Sequence, residues 1–170
     1  MNTSRLAVIA AILLGIFSST TLAQKAKPTP KKPTATPVAA TSMLELKDGA
    51  DKVAVQIMNV TKFLYLLGSI AKGIEDVDRD PKANANALAL NATNKKAFTQ
   101  TIRNLQAGMA VLEVEFKTKP SLKKYLLNIQ GVTELVGESQ DLAVAGKYTE
   151  SGRPLVSVVE RLASTLVALP

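Results

Sequence analysis

The sequence contains no cysteine, no histidine and no tryptophan, and only 4% of its residues are aromatic. Without cysteine the chain has no disulfides, thiol nucleophile, iron–sulfur cluster or lipid-modified N-terminal cysteine. Without histidine it lacks the usual zinc ligand, the common axial haem ligand and the commonest general base. These absences remove most familiar metal, redox and acid–base enzymes, so we expect no catalytic residues and no cofactor.

The N-terminus has the pattern of a secretory signal peptide. Arg5 precedes an apolar run over residues 6–17, and the small residues Thr21 and Ala23 flank a cleavage position after Ala23. The run is shorter than the roughly 20 residues that a helix needs to cross a bilayer, which makes an uncleaved anchor the weaker interpretation. We therefore expect a secreted or periplasmic protein that lacks residues 1–23.

Residues 24–42 form a predicted linker. They contain four of the eight prolines, four lysines and no acidic residue. Proline fixes the backbone and like charges repel, so we expect an extended, disordered segment. Two roles remain open: a solvated spacer, or a basic segment in weak contact with an anionic envelope surface.

The excess of positive charge belongs mainly to this N-terminal region. The whole chain has a net charge of +7, whereas residues 42–170 contain 16 basic and 14 acidic residues. Nucleic-acid binding usually requires a basic face with stacking aromatic residues, and neither feature is evident in the sequence. We therefore expect no nucleic-acid partner.

Residues 43–170 have the periodicity of helices. Apolar residues recur every three or four positions, and no segment shows sustained alternation with a period of two. Four segments show this spacing, and Leu64 and Leu105 lie mid-helix, so we expect both to be almost fully buried. The first two stripes are Val53, Ile57, Val60, Leu64, Leu67, Ala71 and Ile74, followed by Phe98, Ile102, Leu105, Met109, Leu112 and Phe116.

The fold class that follows is all-α, an antiparallel four-helix bundle with up-down-up-down topology. The third and fourth helices are expected within residues 122–143 and 155–169. Residues 81–91 are rich in alanine and asparagine and are predicted to form a short extra helix or a crossing loop. Helix breaks and caps are predicted at Asp80–Pro81, Thr93 or Asn94, Pro120 or Ser121, and Ser151–Gly152.

Helix 1 carries more apolar surface than one packing seam requires. A second stripe, formed by Phe63, Leu66, Ile70 and Val77, lies beside the first. One interpretation is a central helix that is covered on two sides by its neighbours. The other is an exposed interaction strip for a partner or a second copy.

The acidic residues Asp76, Asp78 and Asp80 match the start of a calcium-binding loop. The match then fails, because Pro81 stands where the loop needs glycine and Ala87 where it needs glutamate. We therefore predict no metal site.

The functional hypothesis is an exported, non-enzymatic helical bundle that acts by protein–protein interaction or self-association. The alternative is a carrier of a small apolar ligand between the helices, lined by Phe63, Phe98, Met109 and Phe116.

Overall fold

The computed structural model describes residues 37–170, and this part of the chain is helical without strands. The predicted signal peptide and the first part of the predicted linker, residues 1–36, lie outside the described residues. The helices are α1 (Pro37–Arg79), α2 (Ala85–Thr118), α3 (Leu126–Ile129), α4 (Val132–Val144) and α5 (Gly152–Ala168), with a 3-10 turn at Lys123–Tyr125 before α3.

The four longer helices form the predicted antiparallel bundle. α1 packs against α2 and α5, and α4 packs against the same two helices from the opposite side. Lys52 near the start of α1 pairs with Glu115 near the end of α2, whereas Asp78 at the end of α1 pairs with Lys95 in α2. The start of α1 and the end of α2 therefore lie at the same end of the bundle, which confirms the all-α, up-down-up-down prediction.

The first helix begins earlier than the sequence pattern indicates. α1 starts at Pro37, so residues 37–42 are helical although they were predicted to belong to the extended linker. Proline is favoured in the first turn of a helix, where its missing N–H has no intrahelical partner. No further proline follows until Pro81, so the helix continues from Pro37.

The second helix also begins earlier than predicted. Residues 85–91 are the start of α2, not a separate short helix or a crossing loop. Its N-cap is Asn84, whose side-chain oxygen accepts a hydrogen bond from the N–H of Ala87 at 2.9 Å, whereas Thr93 and Asn94 lie within the helix. An alanine-rich segment with an asparagine before it is a good helix start, and the Asp80–Pro81 break is where the sequence predicted it.

The third predicted helix is interrupted. Gly131 has φ +90°, a left-handed conformation that residues with a side chain rarely adopt, and it separates α3 from α4. Beyond α4, Gly146 also has positive φ, and the N–H of Lys147 donates to the carbonyl of Leu142 at 2.9 Å. This is the hydrogen-bond pattern of a Schellman C-cap, which ends the helix before α5.

The core runs along the full length of the bundle. The Phe98 side chain is fully buried, with ring centroids 5.3 Å from Phe63 on one side and 5.3 Å from Tyr148 on the other. Leu105 is buried as predicted, but Leu64 is only half-buried, because it lies at the side of α1 that borders α5 near Gly152. The stripes therefore define the core, with Leu64 at its margin.

Candidate functional site

The predicted interaction strip on α1 turns towards the interior of the bundle. The exposed fractions of Phe63 and Ile70 are 1% and 3%, and Leu66 and Val77 are half-buried. The strip therefore packs against neighbouring helices, in agreement with the interpretation of α1 as a helix that is covered on two sides. It does not form an exposed docking surface in the described bundle.

The residues predicted to line a ligand cavity also lie in the packed core. Phe63, Phe98, Met109 and Phe116 are all at most 1% exposed, and two of their rings are in direct contact. Three grooves on the bundle surface are lined by other residues. The aromatic set therefore acts as packing in this conformation.

The acidic residues at the end of α1 face separate partners. Asp76 pairs with Lys72 at 3.0 Å, Asp78 pairs with Lys95 at 2.6 Å, and Asp80 accepts the backbone N–H two residues further on. Carboxylates that bind one cation must converge on it. Among the described residues, no group of three or more acidic side chains is close enough to hold a metal ion.

A four-charge cluster joins the start of α1 to the end of α2. Lys52 donates to both carboxylate oxygens of Glu115 at 2.7 Å and lies 3.0 Å from Asp48. Lys119 donates to Asp48 at 2.7 Å and to Glu115 at 3.0 Å. The two lysines and two carboxylates therefore alternate around the cluster, which fixes the two helices relative to one another.

This arrangement shifts the pKa values of its members. The hydrogen bond from Lys119, followed by that from Lys52, lowers the pKa of Asp48. Burial raises the pKa of Glu115, but the hydrogen bonds from Lys52 and Lys119 outweigh it, so that pKa is also lowered. The hydrogen bonds that Lys119 donates to Asp48 and Glu115 raise the pKa of Lys119. These shifts favour the charged forms of Asp48, Glu115 and Lys119, as expected of a structural ion-pair cluster and not of a proton-transfer site.

The side of α1 that points away from the bundle exposes four large apolar side chains. Leu44, Val55, Met58 and Tyr65 are 68%, 44%, 51% and 87% exposed. Their separations of 11, 3 and 7 residues keep them on one face of a helix. We call this surface the outer face of α1, and it also includes the exposed charged residues Asp51 and Lys62.

The sequence reasoning missed the outer face because it followed the stripes with the most apolar residues, and these form the core. The available signal was the seven-residue spacing of Leu44, Asp51, Met58 and Tyr65. A face that alternates apolar and charged residues is difficult to distinguish from an ordinary solvated face until the burial of its neighbours is known.

By length and composition alone, one helix in the described chain, α1, could cross a membrane over residues 40–79. The same stretch supplies Val53, Val60 and Leu67 to the core, where each is at most 5% exposed. A central helix of a packed bundle has the same composition. We therefore describe α1 as a core helix with one exposed face.

Comparison with known proteins gives no relative: no protein-family model, no curated protein and no solved structure matches the chain. The surface of the bundle is accordingly the basis for inferring function.

Proposed function

We propose that this protein is an exported, non-enzymatic helical bundle that acts by self-association through the outer face of α1. The observation that carries the proposal is the row of exposed apolar side chains Leu44, Val55, Met58 and Tyr65 on the longest helix. Export is supported by the signal-peptide pattern that ends at Ala23. A non-enzymatic role is supported by the absence of histidine and cysteine from the sequence.

The charges on this face favour a second copy of the chain as the partner. Asp51 and Lys62 lie on the same face, about three turns apart, with Val55 and Met58 between them. Among the described residues, neither Asp51 nor Lys62 has an ion-pair partner. Each side chain is therefore available to a charge on another molecule.

An antiparallel pairing of two α1 helices satisfies both charges at once. If a two-fold axis passes midway between Val55 and Met58, Val55 faces Met58 of the second copy, and Asp51 faces Lys62 at each side. Residues with a constant index sum lie at the same level in antiparallel helices, so this register places Val55 against Met58 and Asp51 against Lys62, whereas Leu44 and Tyr65 lie level with Ser69 and Asp48. A parallel pairing would place Asp51 against Asp51 and Lys62 against Lys62, which is unfavourable.

The pairing surface is one helix wide and about 32 Å long between Leu44 and Tyr65, at 1.5 Å rise per residue. Interfaces of this limited size are typical of weak or transient complexes. We therefore expect a weak dimer that dissociates on dilution.

Charge exchange tests the register. Asp51→Lys or Lys62→Glu alone places like charges opposite one another, and each should weaken dimerisation by roughly tenfold. The double variant restores opposite charges only in the antiparallel register and should recover the dimer. The measurement is sedimentation equilibrium over a concentration series, with Lys96→Glu on α2 as a control that should not change the dimerisation constant.

Two results would contradict the proposal. If the protein remains monomeric at every concentration, self-association through this face is excluded. Dimerisation that persists in both single variants would place the interface elsewhere on the bundle.

The second candidate function is carriage of a small apolar ligand, and the observation that favours it is a groove of about 380 Å³ between α1 and α2. Val111 and Leu112 supply apolar lining, and the amide of Gln56 lies against Gly108. Ligand sites are commonly about 300–1,000 Å³. Native mass spectrometry of protein from its own host separates the two candidates, because a carrier retains a small added mass and a self-associating protein shows twice the chain mass.

A further inference from the structure

We propose that the end of the bundle where α1 begins and α2 ends docks on an anionic lipid surface. The chain crosses this end between α2 and α4, over residues 117–130. We call the surface formed by Lys117, Lys123, Lys124 and Leu127 the basic end, and Met43 lies on the first turns of α1 at this end of the bundle. The proposal uses a different surface from the outer face of α1 and does not depend on self-association.

The crossing segment concentrates positive charge. Residues 117–130 contain four lysines and no acidic residue. Lys119 is held by Asp48 and Glu115. Within the described chain, Lys117 and Lys123 have no ion-pair partner, and Lys124 lies over the ring of Tyr125 at 4.8 Å from its centroid. These three lysines are therefore free to interact with an external anion.

Two acidic residues near the basic end, Asp48 and Glu115, are engaged in ion pairs. Asp48 and Glu115 are paired in the four-charge cluster, and Glu113 accepts the backbone N–H of Thr133 at 3.3 Å. Asp48 and Glu115 are thus neutralised within the fold, whereas Glu134, which lines a groove with Lys117, has no ion-pair partner in the described chain. Positive charge consequently dominates the surface of the crossing segment.

Exposed apolar side chains accompany these lysines, and they favour a lipid surface over a soluble polyanion. Leu127 is 82% exposed, three residues after Lys124, and Met43 is 73% exposed on the first turns of α1 at the same end. Lysines beside exposed leucine and methionine are typical of proteins that bind at the membrane interface, where charge attracts headgroups and apolar side chains enter the acyl boundary. A hydrated anionic polymer would attract the lysines but would offer no apolar region for Leu127 or Met43 to enter.

The other end of the bundle has the opposite character. Residues 75–80 contain four carboxylates and one arginine. The chain also enters α1 from the predicted linker, whose four lysines adjoin the basic end in sequence. Electrostatic attraction to an anionic surface therefore orients the bundle so that the basic end and the N-terminus of α1 face that surface.

Vesicle binding tests the proposal. The protein recovered in its processed form after export is sedimented with vesicles of equal parts phosphatidylglycerol and phosphatidylcholine, and with vesicles of phosphatidylcholine alone. We expect binding to the anionic vesicles only. The pair Lys123→Glu and Lys124→Glu should weaken that binding by at least roughly tenfold. The pair Lys82→Glu and Lys96→Glu changes the net charge equally, lies at the other end and should leave binding within about twofold of the unmodified protein.

A second pair of variants separates lipid docking from general attraction to polyanions. Leu127→Ser should weaken vesicle binding severalfold, whereas Leu88→Ser, at an exposed leucine in the first turn of α2, should not. All of these side chains are exposed, and equal melting temperatures would verify that the variants fold.

Three results would overturn the proposal. The first is an unmodified protein that does not bind anionic vesicles. The second is equal weakening by the two lysine pairs, which would indicate only an effect of net charge. The third is unchanged binding of Leu127→Ser to the anionic vesicles, which would show that the protein recognises only the negative charge and does not dock on the lipid.

Discussion

At the level of single residues, Leu64 and Leu105 show how one sequence pattern leads to two energetic roles. Leu105 is 1% exposed, whereas Leu64 is half-buried beside α5. Leu105→Ala removes fully buried methyl groups and leaves a cavity, so we expect a loss of about 2–5 kcal/mol in the free energy of unfolding. Leu64→Ala should cost less, about 1–2 kcal/mol, because part of its surface already contacts water. Urea unfolding of both variants provides the measurement.

The order of the two losses is the decisive outcome. A larger loss for Leu64→Ala than for Leu105→Ala would show that the centre of the core lies closer to α5 than the structure places it.

Lys119 provides a second prediction at this level. Lys119→Met removes its bonds to Asp48 and Glu115, and since these groups are partly exposed we expect a loss of only about 1 kcal/mol at pH 7. Lys117→Met, at an unpaired lysine two residues earlier, should have almost no effect. Thermal unfolding across a pH series compares the two variants.

The pH dependence has a definite sign. Asp48 and Glu115 have lowered pKa values in the folded state, so their stabilisation is complete above their ordinary values of 3.8 and 4.5 and is lost as the pH falls below them. Lys119 has a raised pKa, so its stabilisation is complete below 10.5 and is lost as the pH rises further. Lys119→Met should therefore reduce the loss of stability at low pH and the loss of stability at high pH. If the melting temperature of Lys119→Met depends on pH as that of the unmodified protein does, the cluster contributes no net stability.

The sequence identified most core residues but few surface ones. Periodicity is a strong signal for Phe98, Leu105 and Phe116, because burial requires apolar side chains at every position of a stripe. The four-charge cluster joins residues more than 60 positions apart, and no local pattern encodes that pairing. The outer face of α1 was missed for a related reason, since exposure depends on what the neighbouring helices leave uncovered.

At the level of helices, the glycines divide into two kinds. Gly131 has φ +90°, and an added Cβ would also lie 3.0 Å from the guanidinium of Arg161, whereas Gly68 lies within α1 with nothing within 4 Å of an added Cβ. We expect Gly131→Ala to destabilise the bundle by about 1–2 kcal/mol. Gly68→Ala should stabilise it by about 0.5–1 kcal/mol, because alanine has the higher helix propensity.

Chemical unfolding of the two alanine variants measures this contrast, because the substitution is the same at both sites. Stabilisation by Gly131→Ala would mean that the segment from α3 to α4 can form one continuous helix, as the sequence pattern alone predicted.

The helix boundaries were less predictable than the helices themselves. Asn84 and Thr93 are both acceptable N-caps by composition, and the choice of Asn84 extends α2 by about two and a half turns. The extension allows Asn91 to donate to the carbonyl of Ile74 and to Asp78 at the end of α1. Contacts of this kind are tertiary, so the sequence around residue 84 alone does not reveal which cap is used.

At the level of the whole molecule, charge is distributed along the bundle axis. The four lysines of residues 117–130 lie at one end, and the carboxylates of residues 75–80 lie at the other. Sequence counting gave a nearly neutral domain, with 16 basic and 14 acidic residues over residues 42–170. The total was correct but concealed this separation, since the antiparallel topology brings the start of α1 and the end of α2 to the same end of the bundle.

The direction of α1 has a further consequence when both proposals are combined. Two copies that pair through antiparallel α1 helices point their N-termini in opposite directions, so the dimer carries one basic end at each extremity. Such a dimer has two membrane-binding ends. When its helices are perpendicular to a flat bilayer, only one of these ends can contact that bilayer. It would instead bridge two facing bilayers, and the dimer would then act as a spacer whose width is set by the length of the paired bundles.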